Sequence, residues 1–233
     1  MNYRVGLENN VEGRSLAWVL DHPGCYAYGA DGEKAIISTA EALNEYAGWI
    51  ESHGGECRLE LESVNIVLEE TWKAYDIDED YKRVAQGYSV NAWFLDDWKP
   101  LTEEEVRWGL KLLAWSRQDL LGAVEGLSAE KLQATYPGER WSISGILGHV
   151  GGAEWWYLDR LGLAQPRQAV PKDPFERLEV ARERLEEALP SLAGSKQVAG
   201  VDGEFWSPRK LLRRAVWHER DHTSHIHQLL AAC

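Results

Sequence analysis

Near its C-terminal end the chain carries four histidines within ten residues, His218, His222, His225 and His227. On a helix turning about 100° per residue, His218 and His222 project about 40° apart and one turn apart, whereas His227 points well away. Two imidazoles stacked in this way can chelate one ion, because their ring nitrogens reach sideways to a common point about 2 Å from each. A two-ligand site binds weakly, so a third ligand from another helix is expected, and His149 is the natural supplier. In Ser142-Ile143-Ser144-Gly145-Ile146-Leu147-Gly148-His149-Val150, helical spacing sets Ile146, His149, Val150 and the later Ala153 on one apolar face. Three neutral imidazoles leave at least one coordination position open, the pattern of catalytic sites. A water or a thiolate in that position would have its pKa lowered. Zn²⁺, Ni²⁺ and Fe²⁺ all suit imidazole. Blander roles exist for the same residues: a histidine on an apolar face is often a satisfied core residue, and histidines near a helix end often partner the helix dipole. His225, seven residues after His218 and almost above it, could replace either member of the pair.

The elements that would carry these histidines are legible. Leu101-Thr102-Glu103-Glu104-Glu105 holds a capping box, Thr102 with Glu105, from which a helix runs to about Gly126. Three more helices follow: Ser142 to Leu161, Asp173 to Leu189 before Pro190, and Ser207-Pro208 to about Ala231, with Ser as N-cap and Pro as first residue. Four amphipathic helices of about 17 to 25 residues are the makings of a four-helix bundle. Seven Trp lie in this half, at 108, 115, 141, 155, 156, 206 and 217, mostly as filling between helices.

The first part reads differently. Asn2 to Glu8 and Ser15 to Leu20 are strand-like, and Cys25 to Tyr28 forms a further short strand after His22-Pro23-Gly24. Glu33 to Ser52 places Ala35, Ile36, Thr39, Leu43, Tyr46, Ala47 and Ile50 on one helical face, and Gly54-Gly55 stops it. Cys57 to Glu69 alternates as a strand, with a slip near Ser63. The acidic, aromatic stretch from Glu70 to Lys99 has no clear pattern and reads as a connector. Its run Asp76-Ile77-Asp78-Glu79-Asp80 lacks the glycine and final glutamate of a calcium loop.

The net charge of −13 is unevenly spread, with 19 acidic and 8 basic side chains in residues 1 to 100 and 19 against 17 thereafter. So acidic a first part repels phosphate backbones, which argues against nucleic acid as a partner. No phosphate-binding glycine loop is present. No apolar run approaches the roughly 18 residues needed to span a bilayer, and the N-terminus lacks a signal-peptide plan, so no membrane association and a cytoplasmic location are expected. Cys25, Cys57 and Cys233 are odd in number and scattered, which suggests reduced thiols.

Arg140-Trp141-Ser142-Ile143-Ser144-Gly145-Ile146-Leu147-Gly148-His149-Val150, then Ala153-Glu154-Trp155-Trp156-Tyr157-Leu158, then His218-Glu219-Arg220-Asp221-His222, resemble the DinB-like superfamily over about residues 102 to 232. The resemblance implies an up-down-down-up bundle, commonly dimeric, with a divalent ion on His149, His218 and His222. Members with known activity include mycothiol-dependent maleylpyruvate isomerase and bacillithiol transferases, so a low-molecular-weight thiol cofactor activated by the ion is implied. Tyr3-Arg4-Val5-Gly6-Leu7, then Asp21-His22-Pro23-Gly24-Cys25-Tyr26-Ala27-Tyr28-Gly29 and the helix from Glu33, resemble the HicB-type antitoxin fold. The DNA-binding segment usual in that family is not visible.

The expectation is therefore an α+β chain: a HicB-like small sheet with one helix at 1–75, a connector at 76–101, and an all-α DinB-like four-helix bundle at 102–233. Its expected role is a metal-dependent enzyme acting on a small-molecule substrate as a thiol-dependent transferase or isomerase, or else as a hydrolase. The rival is a non-enzymatic metal-binding or partner-binding protein with a structural metal. A homodimer fits either role.

Overall fold

The computed structural model describes residues 1–57 and 59–232. They form two compact units, one of Met1–Lys99 with Val198–Trp206 and one of Pro100–Gln197 with the residues from Ser207 onward.

The first unit is built on a four-stranded sheet in the order β3-β2-β1-β4. β1 (Asn2–Val11) and β2 (Arg14–Val19) are antiparallel and joined through Glu12-Gly13, both at positive φ. This tight turn matches the right-handed twist of the two strands. β3 (Tyr26–Gly29) pairs antiparallel with β2. α1 (Gly32–Ser52) starts on an Asp31 cap that accepts from the Lys34 amide, and β4 (Asn65–Lys73) returns parallel to β1. Side chains on β1 alternate between faces. Tyr3, Val5 and Leu7 are buried together on one of them. There the His22 ring sits between those of Tyr3 and Tyr46, the latter from α1.

The strand expected from Cys57 forms only from Asn65. Arg58 lies outside the described residues, and the backbone of Glu60 is satisfied by a side chain instead of a ladder. Tyr3 Oη accepts from the Glu60 amide at 2.9 Å and donates to its carbonyl at 3.3 Å.

The stretch expected as a connector is part of this unit. β5 (Asp76–Ile77), β6 (Arg83–Val84) and β7 (Tyr88–Ser89) make a small sheet in the order β6-β5-β7, followed by a short 3₁₀ turn at Leu95–Trp98. Phe94 covers the second face of the main sheet so closely that a Cβ on Gly6 would lie 2.9 Å from its ring. On that face the buried Glu8 carboxylate accepts from Trp18 Nε1 and from the Ala92 amide.

A hairpin completes the unit: β8 (Ala199–Val201) and β9 (Glu204–Trp206), turned at Asp202-Gly203 with φ of 49° and 81°. The expected all-α second part is therefore interrupted here. Asp-Gly between two strand-forming pairs is a strong short-range hairpin signal.

The second unit contains α2 (Glu103–Val124), the short α3 (Ala129–Gln133), α4 (Ile143–Arg160), α5 (Pro174–Ala188) and α6 (Pro208–Ala231). Each long helix begins on a side-chain cap: Thr102 with Glu105, Ser142 on the Gly145 amide, Asp173 on those of Phe175 and Glu176, and Ser207 on that of Lys210. The four share one apolar core, made of Leu120 and Val124, Ile143, Ile146, Leu147 and Val150, Leu178, and Ile226 and Leu229. Among the described residues, no helix is long and apolar enough to cross a membrane. Cys25 is buried and Cys57 half-buried, while Cys233 lies outside the described residues.

Candidate metal centre

α6 presents His218 and His222 one turn apart, and α4 presents His149 beside its buried stripe of Ile146, Leu147 and Val150. The structure brings the three rings together. His218 Nε2 lies 3.1 Å from His149 Nε2 and 3.2 Å from His222 Nε2. The rings stand edge-on to one another, at 63°, 87° and 83° between planes, so their nitrogens converge and the rings do not stack.

Two nitrogens bonded to one ion at 2.0–2.1 Å in tetrahedral geometry are about 3.3 Å apart. The observed spacings match that distance. Hydrogen bonding alone accounts poorly for the cluster, because each N···N contact needs one ring to donate from Nε2 and the other to accept. An ion takes a lone pair from all three without conflict. Two of the rings are also held in the form that can ligate. Burial, followed by repulsion from His222, His149 and Arg214, pushes His218 well below the usual imidazole range. Burial, followed by His149 and His225, pushes His222 down to about 3. The triad is the one His/Cys/Asp/Glu group among the described residues whose donor atoms are arranged to hold an ion.

Aromatic rings line the cluster. Trp141 stacks on His149, and the Arg140 guanidinium sits 4.7 Å over the Trp141 ring. Tyr157 and Trp217 flank His218 at 6.1 and 5.7 Å between ring centres. Of the two adjoining tryptophans, Trp155 turns away to donate to the Gln165 carbonyl. His225 does not join the triad: its Nε2 pairs with Glu139 at 3.0 Å, and its ring centre is 6.2 Å from that of His222. His227 is exposed.

One feature next to the triad escaped sequence reasoning. Glu219, one residue beyond His218, accepts from Arg117, Arg182 and Ser116, and the same two arginines hold Glu154. All four charged side chains are buried. Each lies on an apolar stripe: Arg117 between Leu113 and Leu120, Glu154 between Val150 and Leu158, Arg182 between Leu178 and Leu185, Glu219 between Ala215 and Ile226. A charge at a core position of every long helix was the available signal.

Residues 112–226, a span just short of half the chain that takes in all three histidines, match the family model of the DinB superfamily. The helical part of the chain is thus DinB-like. No curated protein and no solved structure matches the chain.

Proposed function

We propose that the second unit is a DinB-type four-helix bundle that binds one divalent ion through His149, His218 and His222 and serves as the centre of a thiol-dependent transferase or isomerase. The observation that carries this is the convergence of three imidazoles, with His218 Nε2 at 3.1 Å from His149 Nε2 and 3.2 Å from His222 Nε2, close to the spacing of ligands around one ion. The donor set, three neutral imidazoles among aromatic walls, fits Zn²⁺, Ni²⁺ or Fe²⁺. Such an ion would supply Lewis-acid chemistry, lowering the pKa of a water or thiol beside it. The chain's own part is to keep the His218 and His222 imidazoles unprotonated by burial and to hold the His149 ring against Trp141.

For the first unit, the order of three strands, a helix and a fourth strand, with Pro23-Gly24 in the turn before β3, supports a HicB-type fold. A homodimer and a small-molecule substrate are part of the same proposal.

The test is metal analysis of protein purified without chelators, then thiol transfer to a model electrophile, with His222→Ala alongside. We expect about one equivalent of ion, lost in the variant, and turnover that depends on the added thiol. Protein that takes up no divalent ion would refute the proposal. Stoichiometric ion without turnover would leave the bundle as a non-enzymatic metal protein.

A further inference from the structure

We infer that Arg117, Glu154, Arg182 and Glu219 are positioning residues for the histidine triad: a closed ring of charges that sets how α4 and α6 are turned about their own axes, and hence where His149, His218 and His222 point. The inference rests on the metal-binding reading above.

The ring takes one residue from each long helix, Arg117 from α2, Glu154 from α4, Arg182 from α5 and Glu219 from α6. Its side chains are 11%, 5%, 6% and 1% exposed, in that order. Each carboxylate bridges both guanidiniums. Glu154 accepts from Arg117 Nη2 at 3.0 Å and from Arg182 Nε at 2.8 Å, while Glu219 accepts from Arg117 Nε at 2.5 Å and Arg182 Nη2 at 2.6 Å. The remaining fork positions go to backbone carbonyls, Arg117 Nη1 to Leu178 and Arg182 Nη1 to Leu113. Ser116 Oγ donates to Glu219 at 2.5 Å. Two positive and two negative charges balance.

Stability alone does not call for such a ring, since apolar side chains of similar volume commonly replace a buried ionic group without loss. Directional bonds supply what an apolar seam lacks, a fixed rotation of each helix. The leverage is large: an imidazole Nε2 lies about 6–7 Å from its helix axis, so a 10° turn moves it about 1 Å, several times the roughly 0.2 Å tolerance of a metal–ligand distance. Glu219 is adjacent to His218 and three residues before His222, and Glu154 is five residues beyond His149. Anchoring the carboxylates therefore anchors the ligands.

The test uses the full chain with Co²⁺ as probe, titrated against a competing chelator and followed by its d–d absorption, alongside urea unfolding. The fourfold variant Arg117→Met, Glu154→Leu, Arg182→Met, Glu219→Leu should unfold cooperatively like wild type, yet bind Co²⁺ about 10- to 100-fold more weakly and lose the intense tetrahedral spectrum. Arg182→Lys, which keeps the charge but not the fork, should show the same spectral change to a smaller degree. A folded variant with wild-type affinity and spectrum would overturn the inference while leaving the metal site intact. Failure of wild type itself to take up Co²⁺ would instead overturn the metal-binding reading, and the inference with it.

Discussion

The indole of Trp141 lies over the imidazole of His149, with ring centres 4.4 Å apart and planes 25° from parallel. Trp141 directly precedes the Ser142 cap of α4, and a Cβ on Gly145 would sit 3.0 Å from the Trp141 Cβ, so the indole is wedged against the first turn of the helix that carries His149. An aromatic stack of this kind is worth about 0.5–1.5 kcal/mol beyond burial. Trp141→Ala should therefore weaken metal binding by up to about tenfold, and Trp141→Phe should restore most of the loss. Chelator competition measures both. Equal affinity in the alanine variant would mean that the stack does not hold the ring.

A second prediction concerns the hairpin inserted between α5 and α6. Glu204 Oε1 accepts from the Asn91 amide at 2.6 Å, from Asn91 Nδ2 at 2.7 Å and from Tyr88 Oη at 3.0 Å, and Oε2 accepts from Trp206 Nε1 at 2.8 Å. Removing one buried acceptor strands several donors, each at about 1–3 kcal/mol when left unpaired. Glu204→Ala should lower stability by about 2–4 kcal/mol and speed amide exchange around Asn91. Unchanged exchange there would show that the carboxylate is dispensable.

What the sequence revealed, and what it hid, follows from the range of the interactions. Helix starts were legible because a cap is local: Thr102 with Glu105, and Ser142 with Gly145, lie three residues apart. The triad was legible because two members share one helix face and the third sits on an apolar stripe. The stretch from Asp76 to Trp98 was not, since its strands are only two residues long and Tyr88 and Asn91 are held by Glu204, more than a hundred residues later. The charged ring was hidden for the same reason: its partners are 28 to 102 residues apart and become neighbours only once four helices pack.

Glycine at 151 is set by helix contact. A Cβ there would lie 3.0 Å from the Leu178 amide nitrogen and 3.1 Å from the Arg177 carbonyl carbon, both backbone atoms of α5 that cannot swing aside. Alanine gains about 1 kcal/mol over glycine in a helix, but overpacking costs about 1–3 kcal/mol. Gly151→Ala should therefore come out destabilising by about 1 kcal/mol. Gly48, exposed on α1 with no atom within 4 Å of such a Cβ, is the control, and Gly48→Ala should stabilise by about 0.5–1 kcal/mol. Urea midpoints of the two variants should move in opposite directions, and a shared direction would contradict the close approach of α4 and α5.

Acid should destabilise the metal-free protein through its buried histidines. Burial lowers His22, His218 and His222, the last to about 3 with help from His149 and His225. An unfolded imidazole takes up its proton near pH 6.5. Above that value neither state is charged at these positions and their stabilising effect is fully present. Below it the unfolded chain binds protons that the folded one refuses, so stability falls with pH by up to about 1.4 kcal/mol per unit for each group, continuing toward pH 3 for His222. Carboxylates give the same sign only at lower pH. The Glu105 carboxyl, which burial would raise but Arg209 and Thr102 hold low, contributes below about 4.5. The window from pH 6.5 to 5 therefore reports the histidines. Urea midpoints of the apo protein should be level between pH 8 and 7 and drop by pH 5, with a shallower drop in His222→Gln. A midpoint constant down to pH 5 would mean that the rings are not held neutral by burial.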